Sequence, residues 1–583
     1  MTATRSIVAE LTADPASLVL IPVSGEFDLA DVAAMQDVTA TPHPTKPAGG
    51  VTFASTWPTQ VQLAASLPWA PQAKLRAAMA AEIARRMATA PVTSARELRP
   101  GCTPRDYQSA GAGVIAATGK GLIFDDPGTG KTLTALLGLL ACRDRGLLPP
   151  AAPILAVCPN SVIDSWVNEV HRWSTLSAVA WRGTISKRRR LAGTADVYVV
   201  GYATAANDLD AHCANGHPLL DLRAQALVID ECHWIKSPSA IRSQSVRKAA
   251  AKIPIVIALS GTPITHNALD LWPTLYATDA ASWPSRERFL RRYLTTMAGD
   301  YEDVVVGLND REPELRLCLL GTYRSLRKAD VLTQLPPKVY TVRTVEIPPK
   351  YRKAYDDMES DMLAEMDNGE QLGVMTALAQ LTRLIQLASS ACDVTTEQLE
   401  EIDEETGQNK VAVHVAPKMP SWKVDTLLDI LAERPDAQTL VFAPSAQLIR
   451  VAAAQVEKAG YTTGLIIGGQ SAAERSAHVD EFQAGKRQVM LATTQAGGVG
   501  LTLTAASTVV FLQRPWSYVE ASQAEDRAHR IGSEIHESIE IIDVVATGTI
   551  EGRIRNVLRD KAKSLAELLE DPRIYTEVLG GQK

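Results

Sequence analysis

A chain of 583 residues is too long for a single hydrophobic core, so several domains are expected. Hydrophobic residues make up 46% and charged residues 21%, an ordinary globular balance, and no apolar run reaches the length of a membrane span. The formal net charge of -7 creates no global attraction for nucleic acid, so any such contact must come from local patches.

The opening "MTATRSIVAELTADP" has no basic head followed by an apolar stretch, which points to a cytoplasmic protein without a secretory signal. "TPHPTKPAGG" reads as a linker, and Gln72–Ala90 is expected to be a helix. From Gly121 to Pro263 short apolar runs recur, "GLIFDD", "ILAVCPN", "DVYVVGY", "ALVIDE" and "IVIALSGTP", with helical patterns between them. That alternation predicts a parallel sheet built from βα units. Between Trp272 and Pro420 the strand rhythm gives way to helical, charged sequence, and "EQLEEIDEETGQNK" at Glu397–Lys410 reads as an exposed acidic loop. A second series, "TLVFAPS", "TGLIIGG", "QVMLATT", "TVVFLQR" and "SIEIIDVVA", predicts a second α/β lobe. The seven cysteines include no C-x-x-C pair, so reduced thiols are expected. His212, Cys213 and His217 invite a zinc reading, but no second ligand pair accompanies them. "SKRRR" and "RERFLRR" are candidate phosphate-binding patches, with a solvated face as the plainer reading of each.

The chemistry concentrates in "DDPGTGKTLTALLGLL". A phosphate loop reads G-x-x-x-x-G-K-[ST] between a strand and a helix, and here Asp125 stands at the first glycine. Gly128 and Gly130 allow the backbone to turn its N–H groups inward around phosphate oxygens, at the positive end of a helix. Lys131 is placed to reach the β- and γ-phosphates and Thr132 to hold Mg²⁺. In "ALVIDECHWIKSP" an acid pair ends an apolar strand: Asp230 would position Mg²⁺, and Glu231 would orient or deprotonate the attacking water. A tripeptide GKT or a surface Asp-Glu pair carries little alone, but their order in one α/β lobe supports a nucleotide site.

With its other motifs in place, the sequence resembles the Swi/Snf-type ATPases of helicase superfamily two. "DDPGTGKT" is similar to their D-E-x-G-x-G-K-T loop, and "RDYQSAGAGVIAA" to their Tyr-Gln motif, which makes Gln108 the implied adenine reader. "AVCPNSVIDSWVNEV" and "ALSGTPITHNALDLW" look like motifs Ia and III, and "RSLRKADVLTQLPPK" like the family's linker segment. "LATTQAGGVGLTLTAASTVVF" and "QAEDRAHRIG" look like motifs V and VI. The resemblance covers about Leu98 to Leu569. Departures are Pro127 for a common methionine, Cys232 for alanine, Gln495 for an arginine of motif V, and Ser533 for the glutamine after "HRIG".

The resemblance implies two RecA-like parallel-sheet lobes in tandem, with a helical insertion between them and a small N-terminal region. The expected divisions are residues 1–95, an ATP-binding lobe at 96–275, a helical linker at 276–420, and a C-terminal lobe with terminal helices at 421–583. The implied ATP-binding set is Gln108, Asp125, Asp126, Pro127, Gly128, Thr129, Gly130, Lys131, Thr132, Gly500 and Gln523. Catalysis is assigned to Lys131, Asp230, Glu231, Arg527 and Arg530, and Mg²⁺ to Thr132 and Asp230. Arg527 and Arg530, three residues apart, would share one helix face and present guanidinium groups to the γ-phosphate. The implied activity is DNA-stimulated ATP hydrolysis that drives movement along double-stranded DNA, contacted through its phosphates. A strand-separating helicase on DNA or RNA, or a nucleotide-gated DNA-binding module without turnover, are the alternatives. No motif names a protein partner, a monomer is expected, and the compact alanine-rich composition suggests a bacterial or phage source.

Overall fold

The computed structural model describes residues 7–11, 17–22, 41–42, 51–54, 89–209, 218–264, 268–297, 304–367, 374–402, 409–497, 501–515 and 518–552. Most of Gln72–Ala90, all of His212, Cys213 and His217, and the residues after 552 lie outside them. The chain parts into two compact units, Met1–Val331 and Leu332–Lys583, so the stretch expected as a linker is shared between them.

The first unit is built on seven strands: β1 (Lys120–Ile123), β2 (Ile154–Cys158), β3 (Ala178–Ala180), β4 (Val197–Gly201), β5 (Ala226–Asp230), β6 (Ile255–Leu259) and β7 (Tyr323–Arg324). Their order is β7-β1-β6-β5-β2-β4-β3, and every pairing is parallel. All five sequence-expected strands are present. β2, β4 and β6 are buried along their whole length, as expected of a parallel sheet covered on both faces. Four short strands near the N-terminus, Ile7–Leu11, Ser17–Pro22, Thr41–Pro42 and Val51–Ala54, form a separate antiparallel sheet. Val92 packs with Ala112, Ala116, Leu137 and Ala141, so the core of this lobe begins before residue 96.

The second unit has six parallel strands: β8 (Lys338–Val345), β9 (Thr439–Ala443), β10 (Thr463–Ile466), β11 (Val489–Thr493), β12 (Thr508–Phe511) and β13 (Ile539–Ala546). Their order is β8-β13-β12-β9-β11-β10. Side chains alternate between faces along a strand. Leu440 and Phe442 therefore enter one core cluster with Met490, Val509 and Phe511, while Val441 and Ala443 enter another with Leu491, Val510 and Ile542.

The stretch read as helical is mixed. It contains helices Pro349–Asp367 and Val374–Ser389, but also β7, β8 and the hairpin strands Leu294–Met297 and Val304–Leu308. The expected acidic loop is partly strand: Ala391–Ile402 pairs antiparallel with Asn409–Lys418, placing Glu397 opposite Ala412. Charge pattern alone does not separate such a paired strand from a loop.

Candidate nucleotide site

Because the first sheet is parallel, the loops after its strands open on one edge, the edge where ligands bind in open α/β sheets. The phosphate-loop candidate follows β1, the acid pair ends β5, and β6 lies between them and leads into Ser260.

The loop is closed by its own residues. Gly128 and Gly130 stand at φ 84° and 82°, a region that glycine enters without steric cost, and Gly130 caps the helix Lys131–Asp144. Thr129 Oγ1 donates to the Asp126 carbonyl at 2.8 Å. Lys131 Nζ donates to the carbonyls of Asp125 at 2.8 Å and Asp126 at 3.2 Å, which folds the ammonium back over the loop. Thr132, half-buried, is the second residue of the same helix. Pro127 lies against Gly261, where an added Cβ would come within 2.7 Å of the proline ring.

Gln108 supports the loop from below. Its Oε1 accepts from the Arg105 N–H at 2.9 Å, and its Nε2 donates to the Thr129 carbonyl at 3.0 Å. Tyr107 donates its hydroxyl to the same carbonyl at 3.0 Å. A Cβ at residue 130 would meet Gln108 Nε2 at 2.5 Å, so glycine is needed there for space as well as backbone angle.

Asp125, expected among the nucleotide-binding residues, is 1% exposed, and its carboxylate faces Arg324 Nε at 3.3 Å. Burial pushes its carboxyl up to about 6, even with the Arg324 and Lys131 charges pulling it down. Arg324 comes from β7, whose pairing with β1 was not foreseen, and it also donates to the Tyr107 carbonyl. An added Cβ at Gly111 would fall 2.7 Å from the Arg324 guanidinium, so the glycine leaves room for it. Asp126 caps the same segment, its Oδ2 accepting from the Lys328 N–H at 2.8 Å.

At the end of β5, Asp230 Oδ2 accepts from Trp166 Nε1 at 2.7 Å, and Oδ1 from the Glu231 N–H at 3.0 Å. Tyr202 donates its hydroxyl to the Asp230 carbonyl at 2.6 Å and stacks on Trp234 with ring centroids 5.6 Å apart. Glu231 adopts φ 51° and ψ 55°, a left-handed conformation unusual for glutamate. His233 Nδ1 lies 3.4 Å from Glu231 Oε2 and 3.2 Å from Ser260 Oγ, which itself accepts from the Thr262 N–H. Burial, reinforced by Glu231, pushes the Asp230 carboxyl up to about 7, against the Trp166 hydrogen bond and the nearby Lys131 charge. Burial, with Lys236 and Lys131, pushes His233 down to about 4, so it is a neutral hydrogen-bonding group at pH 7. Trp166 and Tyr202 were not singled out from sequence. Trp166 lay inside the quoted motif Ia, but nothing local linked its indole to an acid on another strand. Among the described residues no cluster of three or more metal-ligating side chains occurs, and no helix is long and apolar enough to cross a membrane.

In the second unit the expected shared helix face is not what brings the arginines together. The helix Tyr518–Glu525 ends before them, and Arg527 and Arg530 lie in the turns that follow. Both guanidinium groups nevertheless donate to the Leu501 carbonyl, at 3.2 and 3.1 Å, and Arg527 Nε also donates to the Gln523 carbonyl. Gln523 and Arg527 are buried, and Gly500 lies outside the described residues. The turn is anchored by charge. Lys338 Nζ lies 3.1 Å from both Glu525 Oε2 and Asp526 Oδ1, and Arg514 bridges Glu525 at 2.5 Å and Asp543 at 2.6 Å. Burial alone would raise Glu525, but Lys338 and Arg514 hold it below the usual carboxylate range.

A phosphate-loop candidate and a strand-end acid pair share one edge of a parallel sheet, and a second parallel-sheet unit bears paired arginines, the residue types of a nucleotide site. The model of the SNF2-related domain matches residues 87–393, over half of the chain, and that of the helicase conserved C-terminal domain matches residues 422–532. The chain belongs to the SNF2-related family. It is 28% identical over 471 residues to the ISWI chromatin-remodeling complex ATPase CHR11 of Arabidopsis thaliana, covering 77% of this chain and 41% of that protein. It is 26% identical over 524 residues to the TATA-binding protein-associated factor MOT1 of Saccharomyces cerevisiae, covering 79% of this chain and 27% of that one. The chain thus spans less than half the length of these relatives. A solved Sulfolobus solfataricus SWI2/SNF2 ATPase core in complex with dsDNA is 20% identical, with a TM-score of 0.37 over 84% of this chain and 97% of that one.

Proposed function

We propose that this chain hydrolyses ATP in response to DNA and uses the cycle to move along duplex DNA without parting its strands. The observation that carries the reading is the gathering of the phosphate loop and the Asp230–Glu231 pair on one sheet edge, with only β6 between their strands. Relatives named for chromatin remodelling and for association with the TATA-binding protein support a DNA-directed role.

The residues present fit ATP with Mg²⁺. Lys131 rests on two backbone carbonyls, weak partners that phosphate oxygens can replace, and the glycines keep the loop free of side chains. Thr132 and Asp230 would hold Mg²⁺, which when bound neutralises charge on the β- and γ-phosphates. Lys131 binds and orients those phosphates. Glu231 accepts a proton from the attacking water, and His233 with Ser260 keeps its carboxylate in place. Gln108 braces the loop and offers an amide N–H to the base, while Gly500 and Gln523 would contribute from the second unit. Arg527 and Arg530 stabilise charge developing on the γ-phosphate.

The test is ATP turnover with duplex DNA, single-stranded DNA and RNA at several salt concentrations. Duplex DNA should stimulate most, and the effect should fall steeply with salt, because counterions compete for the phosphate contacts. A preference for RNA would favour the helicase reading, and no turnover with any of them would favour a binding module.

A further inference from the structure

The segment from Arg324 to Lys338 is anchored at both ends, and each anchor is a part of the proposed ATPase machinery. At its start, Phe124 and Asp126 donate their N–H groups to the carbonyls of Arg324 and Leu326 at 2.7 and 2.9 Å. Arg324 faces the buried Asp125, and Asp126 caps Lys328, so the segment's start is fixed to the loop that would cradle phosphate. At its end, the Pro336 carbonyl accepts from His529 Nε2 at 2.9 Å, and Lys338 bridges Glu525 and Asp526. Those three partners flank or adjoin Arg527 and Arg530. The chain between Lys328 and Pro336 is short: one helical turn at Lys328–Val331, the buried Leu332 and an exposed turn at Thr333 and Gln334.

We propose that residues 324–338 act as a strap of fixed length, with Arg324 and Lys338 as positioning residues that link the phosphate loop to the arginine-bearing turn. The inference rests on the ATPase reading above. Arg324 acts through Asp125, and Lys338 acts through Glu525 and Asp526; neither is assigned contact with nucleotide. Binding of phosphate at the loop would bias the strap's start, and the fixed length would carry that bias to the turn. Slackening the strap should therefore uncouple DNA stimulation from hydrolysis while both anchors stay intact.

The experiment inserts Gly-Ser-Gly-Ser between Thr333 and Gln334 in the full chain, beside Lys338→Met and Lys338→Arg. Turnover is measured against ATP concentration with and without duplex DNA. The insertion should leave DNA-independent turnover and the KM for ATP near wild type, and lower DNA-stimulated kcat by at least about tenfold, since small misplacements of catalytic groups cost this much or more. Lys338→Met, which removes the cation between two buried carboxylates beside the arginines, should lower turnover with and without DNA, and Lys338→Arg should restore most of both because it keeps that charge. An insertion variant with wild-type DNA-stimulated kcat would reduce the segment to a tether and overturn the proposal. So would an insertion that abolishes ATP binding. Wild-type protein that shows no DNA stimulation in the same assay overturns the ATPase reading itself, which separates the two failures.

Discussion

Replacing Arg324 with methionine tests the buried support of the phosphate loop. Asp125 and Arg324 are 1% and 11% exposed at the side chain, so neither charge is well solvated. Removing one partner of a buried pair costs about 3–5 kcal/mol, because the other charge is left uncompensated. The pH dependence gives the argument its sign. With Arg324 present, burial raises the Asp125 carboxyl to about 6, above its unfolded value of 3.8. The folded state then binds more protons than the unfolded state between those values, so this contribution to stability is lost as pH rises towards 6 and stays level above it. Without Arg324 the carboxyl rises further, and the loss continues beyond pH 6 at about 1.4 kcal/mol per unit. The destabilisation of Arg324→Met should therefore widen as pH rises above 6, by at most about 3 kcal/mol by pH 8. Guanidinium unfolding, with the first unit's transition located by hydrogen exchange across residues 120–126, reads it directly. A difference between variant and wild type that stays flat from pH 6 to pH 8 would refute the buried pair.

Lys131→Ala should lose productive ATP binding, whereas Glu231→Gln should retain ATP and release little phosphate in a nucleotide-trapping assay; equal loss of binding in both would contradict the assigned roles. Arg527→Ala and Arg530→Ala should each keep ATP affinity within about tenfold and DNA affinity near wild type, while turnover falls by about 10³ or more. Turnover that persists while DNA affinity collapses would move these arginines to a DNA-binding surface. Val92→Ala, which strips most of that side chain from its cluster with Ala112, Ala116, Leu137 and Ala141, should cost about 1–3 kcal/mol of the first unit's stability, read by guanidinium unfolding.

The sheets were legible where strands are continuous apolar runs buried on both faces, as in "VYVVG" and "IVIAL". β8 was missed although "KVYTVRTV" alternates, because its half-exposed edge position gives a mixed pattern among charged neighbours. β7 is two residues long and polar, so only its pairing with β1 makes it a strand. The phosphate-loop candidate and the acid pair could be picked out by residue type and order, and the fold places both on one sheet edge. Their supports could not be picked out, because the partners of Asp125 and Asp230 lie on distant segments that only the fold brings near. The Arg527–Arg530 spacing suggested a helix. Contacts from Leu501, Pro336 and Lys338 instead hold those residues in a turn.

Movement along intact duplex DNA is most directly measured by displacement of a triplex-forming strand, with wild type and Glu231→Gln compared in ATP and in a non-hydrolysable analogue. Wild-type protein should displace the third strand only with ATP, leave the underlying duplex paired, and lose displacement in Glu231→Gln. Displacement that proceeds without hydrolysis, or that separates the duplex strands, would contradict the translocase account.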